Sequence, residues 1–180
     1  MFDGRFKTQI ERYVRPIGES LRRTGLSPDH FTVLGLCVAA ASAVAIGAGK
    51  MQLGLLLVIC SALPDLLDGA LAKASNSASQ RGAFFDSVVD RVSDSFLFGG
   101  VAWFYASSDT PQFSIVPFAI LGASLIISYE RAKAESLGLY AKGGLMERAE
   151  RIILLCFGLL FDSLLKWVMV VMLVLVVMTA

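Results

Sequence analysis

Residues Pro64–Asp90 read PDLLDGALAKASNSASQRGAFFDSVVD. Four aspartates fall here in two pairs, Asp65 with Asp68 and Asp86 with Asp90. Separations of three and four place each pair on one face of a helix. Long apolar runs flank the stretch, and between the pairs lies a polar patch, Ala74–Arg81 (ASNSASQR), that belongs in water. The pattern predicts a helical hairpin with a solvated turn, Asp65 level with Asp90 and Asp68 level with Asp86. At 1.5 Å of rise per residue, the acids sit roughly 8–13 Å along the helices from that turn.

An ionised Asp at the middle of a membrane helix costs about 2.5–3.5 kcal/mol on insertion scales, so such residues are rare and usually functional. Four facing carboxylates also repel one another. Two divalent cations would balance them, and oxygen donors without nearby His or Cys favour Mg²⁺ or Mn²⁺ over Zn²⁺. The alternative is a metal-free cluster neutralised by Lys73, Arg81 and Arg91, but three bases near four acids leave a buried anion. Gly69, Ala72 and Gly82 flank the acids. Small residues there admit either a phosphate or a neighbouring helix.

The chain of 180 residues is 56% hydrophobic, with a mean hydropathy of +0.67. That is too apolar for an ordinary soluble domain and predicts an integral membrane protein. A net charge of +1 gives no sign of a nucleic-acid partner. Cys37, Cys60 and Cys156 all lie in apolar runs and read as packing residues, not as a disulfide framework. No signal peptide is expected, because no early apolar core follows the charged N-terminus.

Residues 2–22 repeat apolar positions at three and four (Phe2, Phe6, Ile10, Tyr13, Val14, Ile17, Leu21) against Arg5, Lys7, Arg12, Arg15, Arg22 and Arg23. This predicts an amphipathic helix on the membrane surface, with Pro16 a candidate kink. A partner-binding helix is the alternative. Ser27-Pro28-Asp29 marks a helix start. Six spans follow, at 31–49, 52–73, 82–107, 113–129, 146–161 and 167–180, with short loops at 108–112 and 162–166. Fourteen of the sixteen Lys and Arg fall before the first span, in or near the 73–91 hairpin, or between spans four and five; Lys50 and Lys166 fall on the other side. The positive-inside rule therefore puts the N-terminus and the aspartates at the cytoplasmic face of the cell membrane. The expectation is an all-α integral membrane protein, with six transmembrane helices over 29–180 preceded by a juxtamembrane amphipathic helix over 1–25, in a single membrane domain, 1–180.

A second informative stretch is Ser128–Ile153, SYERAKAESLGLYAKGGLMERAERII. Arg131 and Lys133 follow the fourth span, and Arg148 and Arg151 share a face at the start of the fifth. Such a cluster suits a phosphorylated acceptor, although positive-inside flanking alone also accounts for it.

The spacing Asp65-x2-Asp68-Gly69-x2-Ala72-Lys73-x8-Gly82-x3-Asp86-x3-Asp90 resembles the signature of the CDP-alcohol phosphotransferase family. One departure is Lys73, where the family usually has Arg; Lys keeps the charge and loses the bidentate fork. Ser128-Tyr129, Arg131-Ala132-Lys133-Ala134-Glu135 and Glu147-Arg148-x-Glu150-Arg151 are similar to the actinobacterial phosphatidylinositol-phosphate synthases of that family. The resemblance implies a metal-dependent transferase of phospholipid biosynthesis, a homodimer in the bilayer, moving a phosphatidyl group from CDP-diacylglycerol to inositol phosphate. It implies metal ligands at Asp65, Asp68, Asp86 and Asp90, with Asp90 the catalytic base. CDP-lipid contacts fall at Asp29, His30, Phe31, Thr32, Gly69, Lys73 and Ser79. Acceptor-phosphate contacts fall at Ser128, Arg131, Lys133 and Arg151. Read from the residues alone, His30 is a cap or interface residue. Members of the branch usually continue past the sixth helix with a further basic residue, whereas this sequence stops at Met178-Thr179-Ala180; either the sequence is truncated or that contact is missing, and if it is missing, acceptor affinity should suffer. Two other functions compete. A glycerol-3-phosphate-using enzyme would carry the same acids. A divalent-cation transporter could also line its path with them, but no polar residues continue across the spans.

Overall fold

A computed structural model describes residues 28–74, 80–139 and 144–180, with Pro28 and residues 63–74 described by backbone alone. The surface helix expected over 1–25 and Ser79 lie outside the described residues, as do the side chains of Asp65, Asp68, Gly69 and Lys73. Among the described residues there are six α-helices and no strand: α1 (Pro28–Gly47), α2 (Met51–Ala74), α3 (Gln80–Ala106), α4 (Ile115–Ser136), α5 (Arg148–Leu160) and α6 (Leu165–Thr179). Short 3₁₀ turns at Pro111–Ser114 and Asp162–Leu164 lead into α4 and α6.

Three segments are long and apolar enough to cross a membrane: Asp29–Gly47, Pro111–Ser136 and Asp162–Thr179. Helix α3 has 27 residues but carries Asp86, Asp90, Arg91 and Asp94 close together. Helix α5 has 13 residues, short of the ~20 that span a bilayer core. Helix α4 runs past the predicted end of its span at 129, on to Ser136.

Local chemistry sets the ends. Pro28 opens α1, where a missing N–H costs nothing. Gly49, at φ +75°, closes it. The Lys50 amide donates to the Ala45 carbonyl and the Gly49 amide to that of Ile46, both at 2.9 Å, the paired bonds of a Schellman motif. Gly138 (φ +71°) ends α4 in the same way, through Leu139 N–H to Ala134 C=O and Gly138 N–H to Glu135 C=O.

The chain divides into two compact units, one holding 28–38 and Ile59–Val92, the other Ala39–Val58 and Ser93–Ala180. The second contains the apolar core, built on Leu97, Phe98, Ile120, Leu155, Met169 and Met172, all buried. Helix α6 packs on both α4 and α5. At one end of this unit Tyr105 meets Phe113 edge-on, with centroids 4.6 Å apart, and Lys166 Nζ lies 5.1 Å from the Phe113 ring. Gln52 Nε2 donates to the Leu160 carbonyl at 3.3 Å, satisfying an orphan acceptor at the end of α5. The opposite end of the unit brings together the α3 segment from Ser93, the end of α4 and the start of α5. There Gly144 packs on Thr179 of α6.

Among the described glycines, Gly100 meets neighbouring backbone most closely. A β-carbon there would lie 2.6 Å from the Ala43 carbonyl oxygen and 2.7 Å from its Cα. Backbone cannot rotate away as a side chain can, so Gly100→Ala forces α1 and α3 apart. It is expected to destabilise the protein by about 1–3 kcal/mol, read as a lower apparent Tm of the detergent-solubilised protein.

Candidate active site: an acidic helix face and a buried arginine pair

Helix α3 carries three aspartates at successive four-residue steps, Asp86, Asp90 and Asp94. This spacing aligns them along one face. Asp86 is exposed, the Asp90 side chain retains 21% of its surface, and that of Asp94 retains 5%. Arg91 Nη1 lies 3.5 Å from Asp90 Oδ2 and donates to the Ser87 carbonyl at 2.8 Å. That bond ties the arginine to its own helix. Asp86 and Asp90 are thus two accessible carboxylates one turn apart. Among the described residues, no three His, Cys, Asp or Glu converge on a metal position. The described half of the expected ligand set is nevertheless of the right kind: oxygen donors only, anionic and reachable, as hard divalent cations require.

The second unit gathers the basic residues. Arg151 is 4% exposed. Its Nη2 donates to Asp94 Oδ2 at 2.6 Å and its Nη1 to the Met146 carbonyl at 3.3 Å. Arg148 Nε approaches Asp94 Oδ1 at 3.6 Å, and its side chain keeps 32% of its surface. One carboxylate therefore serves two guanidiniums, and this trio carries a net charge of +1. Beside it in sequence, Glu147 accepts from Arg131 Nη2 at 2.7 Å. Lys133 is exposed. The Ser128 hydroxyl donates to the Ser124 carbonyl at 3.0 Å, a bond back onto its own helix.

The predicted sites divide between the units. Among the described residues, those assigned to metal and CDP-lipid fall in the first, and Ser128, Arg131, Lys133 and Arg151 fall in the second. At the start of α1, Asp29 and His30 are exposed, Phe31 is half-buried and Thr32 is buried. An acid in a first helical turn also complements the helix dipole. Two features were absent from the expectation. Asp94, the partner of the predicted phosphate ligand Arg151, was missed, although it extends the four-residue step of Asp86 and Asp90 by one more turn. Arg151, which the resemblance places near the acceptor phosphate, is buried against that acid.

The CDP-alcohol phosphatidyltransferase family model matches residues 26–179. The phosphatidylinositol phosphate synthase of Mycobacterium marinum is 37% identical over 154 residues, covering 84% of this chain and 66% of that protein. The chain thus spans about two thirds of that relative's length. The crystal structure of Mycobacterium tuberculosis phosphatidylinositol phosphate synthase with CDP-DAG bound matches with a TM-score of 0.86 at 35% identity, covering 93% of this chain and 89% of that one. The same enzyme in complex with manganese and citrate matches with a TM-score of 0.86 at 34% identity, covering 92% and 84%. The aspartate spacing, the all-helical fold and these matches agree: the chain belongs to the CDP-alcohol phosphatidyltransferase family.

Proposed function

We propose that this chain transfers the phosphatidyl group of CDP-diacylglycerol to a hydroxyl of myo-inositol phosphate, giving phosphatidylinositol phosphate and CMP. The observation that carries the reading is its likeness, over 93% of the chain, to a phosphatidylinositol phosphate synthase with CDP-DAG bound. The Arg131, Arg148 and Arg151 side chains supply the charge that a phosphorylated acceptor calls for.

Asp65, Asp68, Asp86 and Asp90 would hold two divalent cations, Mg²⁺ or Mn²⁺; a neighbouring structure contains manganese. Ions in such a site polarise phosphoryl oxygens and stabilise a leaving phosphate. Asp90 accepts the proton of the inositol hydroxyl. The inositol oxygen bonds to the β-phosphorus as the phosphoanhydride bond breaks, and CMP departs with the bonding pair. Lys73 adds positive charge at the diphosphate. Asp29, His30, Phe31, Thr32, Gly69 and Ser79 contact the CDP-lipid. Ser128, Arg131, Lys133 and Arg151 receive the acceptor phosphate; for Ser128 this means releasing its hydroxyl from the Ser124 carbonyl.

The proposed setting is a single domain of six membrane-crossing helices over 29–180, with the amphipathic segment 1–25 on the surface and the aspartates at the cytoplasmic face. A homodimer is the proposed assembly. The family match removes the ground for a cation transporter, because the acids are accounted for by transfer chemistry.

The test is CMP release from CDP-diacylglycerol by purified protein with Mg²⁺ or Mn²⁺, offering inositol phosphate, glycerol-3-phosphate or free inositol. Release with inositol phosphate alone is expected. Release with glycerol-3-phosphate alone would keep the metal chemistry and overturn the acceptor.

A further inference from the structure

We infer that Asp94 is a positioning residue for the acceptor phosphate: it fixes the two α5 arginines in the geometry that receives the anion. The inference deepens the proposed function and rests on it.

The argument starts from placement. Asp94 is 4% exposed, so its carboxylate is buried within the unit. A carboxylate there is costly unless it is paired and hydrogen-bonded. Its pairing is unequal. Oδ2 accepts from Arg151 Nη2 at 2.6 Å, a short charge-assisted bond. Oδ1 lies 3.6 Å from Arg148 Nε and accepts no hydrogen bond. The Met146 carbonyl holds the other terminal nitrogen of Arg151, so two of the three guanidinium nitrogens are fixed by protein. The third, Nε, is buried without an acceptor. A guanidinium gripped this way cannot rotate freely about its long stem, and little rotamer entropy is left for an incoming anion to freeze.

Asp94 also sets the charge. With two arginines and no acid, the cluster would bind any anion strongly and the chain would bury an uncompensated cation. Asp94 offsets one of those two charges, and Arg148, 32% exposed, is the member nearer solvent. Asp94 touches no substrate in this account. It acts through Arg151 and Arg148, and its substitution should change acceptor binding while leaving the CDP-lipid alone.

The experiment compares wild type, D94N, D94E, R151Q and D94N/R151Q, measuring the KM for the acceptor, the KM for CDP-diacylglycerol and kcat. D94N removes the charge and keeps the shape. D94E keeps the charge and displaces it by a methylene. Both should raise the acceptor KM, D94N by about tenfold or more, with the CDP-diacylglycerol KM within about twofold of wild type. Because Asp94 acts through Arg151, D94N should add little to the acceptor KM of R151Q. A structural role alone would lower the active fraction and leave both KM values in place.

An acceptor KM for folded D94N equal to that of wild type overturns the inference, and so does full additivity with R151Q. If D94N does not accumulate as folded protein, D94E decides by the same criterion. The acceptor used is whichever phosphorylated alcohol supports wild-type turnover, so a wrong choice of inositol over glycerol leaves the result readable. Wild-type turnover requiring no acceptor phosphate would overturn the proposed site and this inference together.

Discussion

Asp90→Asn is expected to abolish measurable turnover, lowering CMP release by at least about 10³-fold, while CDP-diacylglycerol still binds. General-base catalysis typically contributes 10²–10⁴-fold, and a carboxylate that also helps hold a cation adds to that loss. Asn has the same shape and can still accept a hydrogen bond from a neighbour, but it neither takes a proton nor offers a full negative charge. The surroundings tolerate the change. The Asp90 side chain keeps 21% of its surface, and its contact with Arg91 is a loose 3.5 Å. Arg91 is separately anchored to the Ser87 carbonyl, so its position does not depend on Asp90. The check pairs two measurements on one preparation: CMP release, and retention of CDP-diacylglycerol by the detergent-solubilised variant. Full activity in D90N would remove Asp90 as the base. Loss of lipid binding together with turnover would instead make it chiefly a ligand of the cations that hold the diphosphate.

The shared face of Asp86 and Asp90 was legible from spacing, because helix geometry converts a step of four into one side of a helix. The same logic predicted most helix positions. Pro28 opens α1 as the Ser-Pro-Asp pattern suggests, and the loop expected at 108–112 lies where α3 ends and the 3₁₀ turn before α4 begins. Gly49 and Gly138 could have been read as stops, since each follows an apolar helix and sits where a left-handed residue closes it. The fate of the arginines was not legible. Positive-inside flanking and phosphate recognition both call for basic residues at the same helix ends, and composition cannot separate them. Only the tertiary partner does: Arg131 is matched to Glu147 and Arg151 to Asp94, while Lys133 is exposed. Asp94 itself was overlooked because it lies beyond the signature, between Ser93 and Ser95, and nothing in the sequence shows that this position is buried. Its buried partner, Arg151, lies 57 residues away in sequence.

That pair supports the second large prediction, which separates folding from function. Arg151→Met should destabilise the protein by about 3 kcal/mol, since removing one member of a buried ion pair leaves the other uncompensated. The lower end of the usual 3–5 kcal/mol range applies because Arg148 still lies 3.6 Å from the Asp94 carboxylate. Adding Asp94→Asn should recover much of that loss. The stranded charge is gone, and Asn costs less to bury than an unpaired carboxylate. Arg148 keeps 32% of its side-chain surface and so stays in contact with water. Activity should not follow. The D94N/R151M double variant lacks both the guanidinium and the acid that positions it, so its acceptor KM should stay raised at least as far as in R151M. Thermal unfolding in detergent and acceptor titrations on the same three proteins provide the check. Recovery of Tm without recovery of acceptor KM assigns the pair to substrate recognition as well as to the fold. If both recover together, the ion pair is a folding element only, and the acceptor phosphate is held elsewhere.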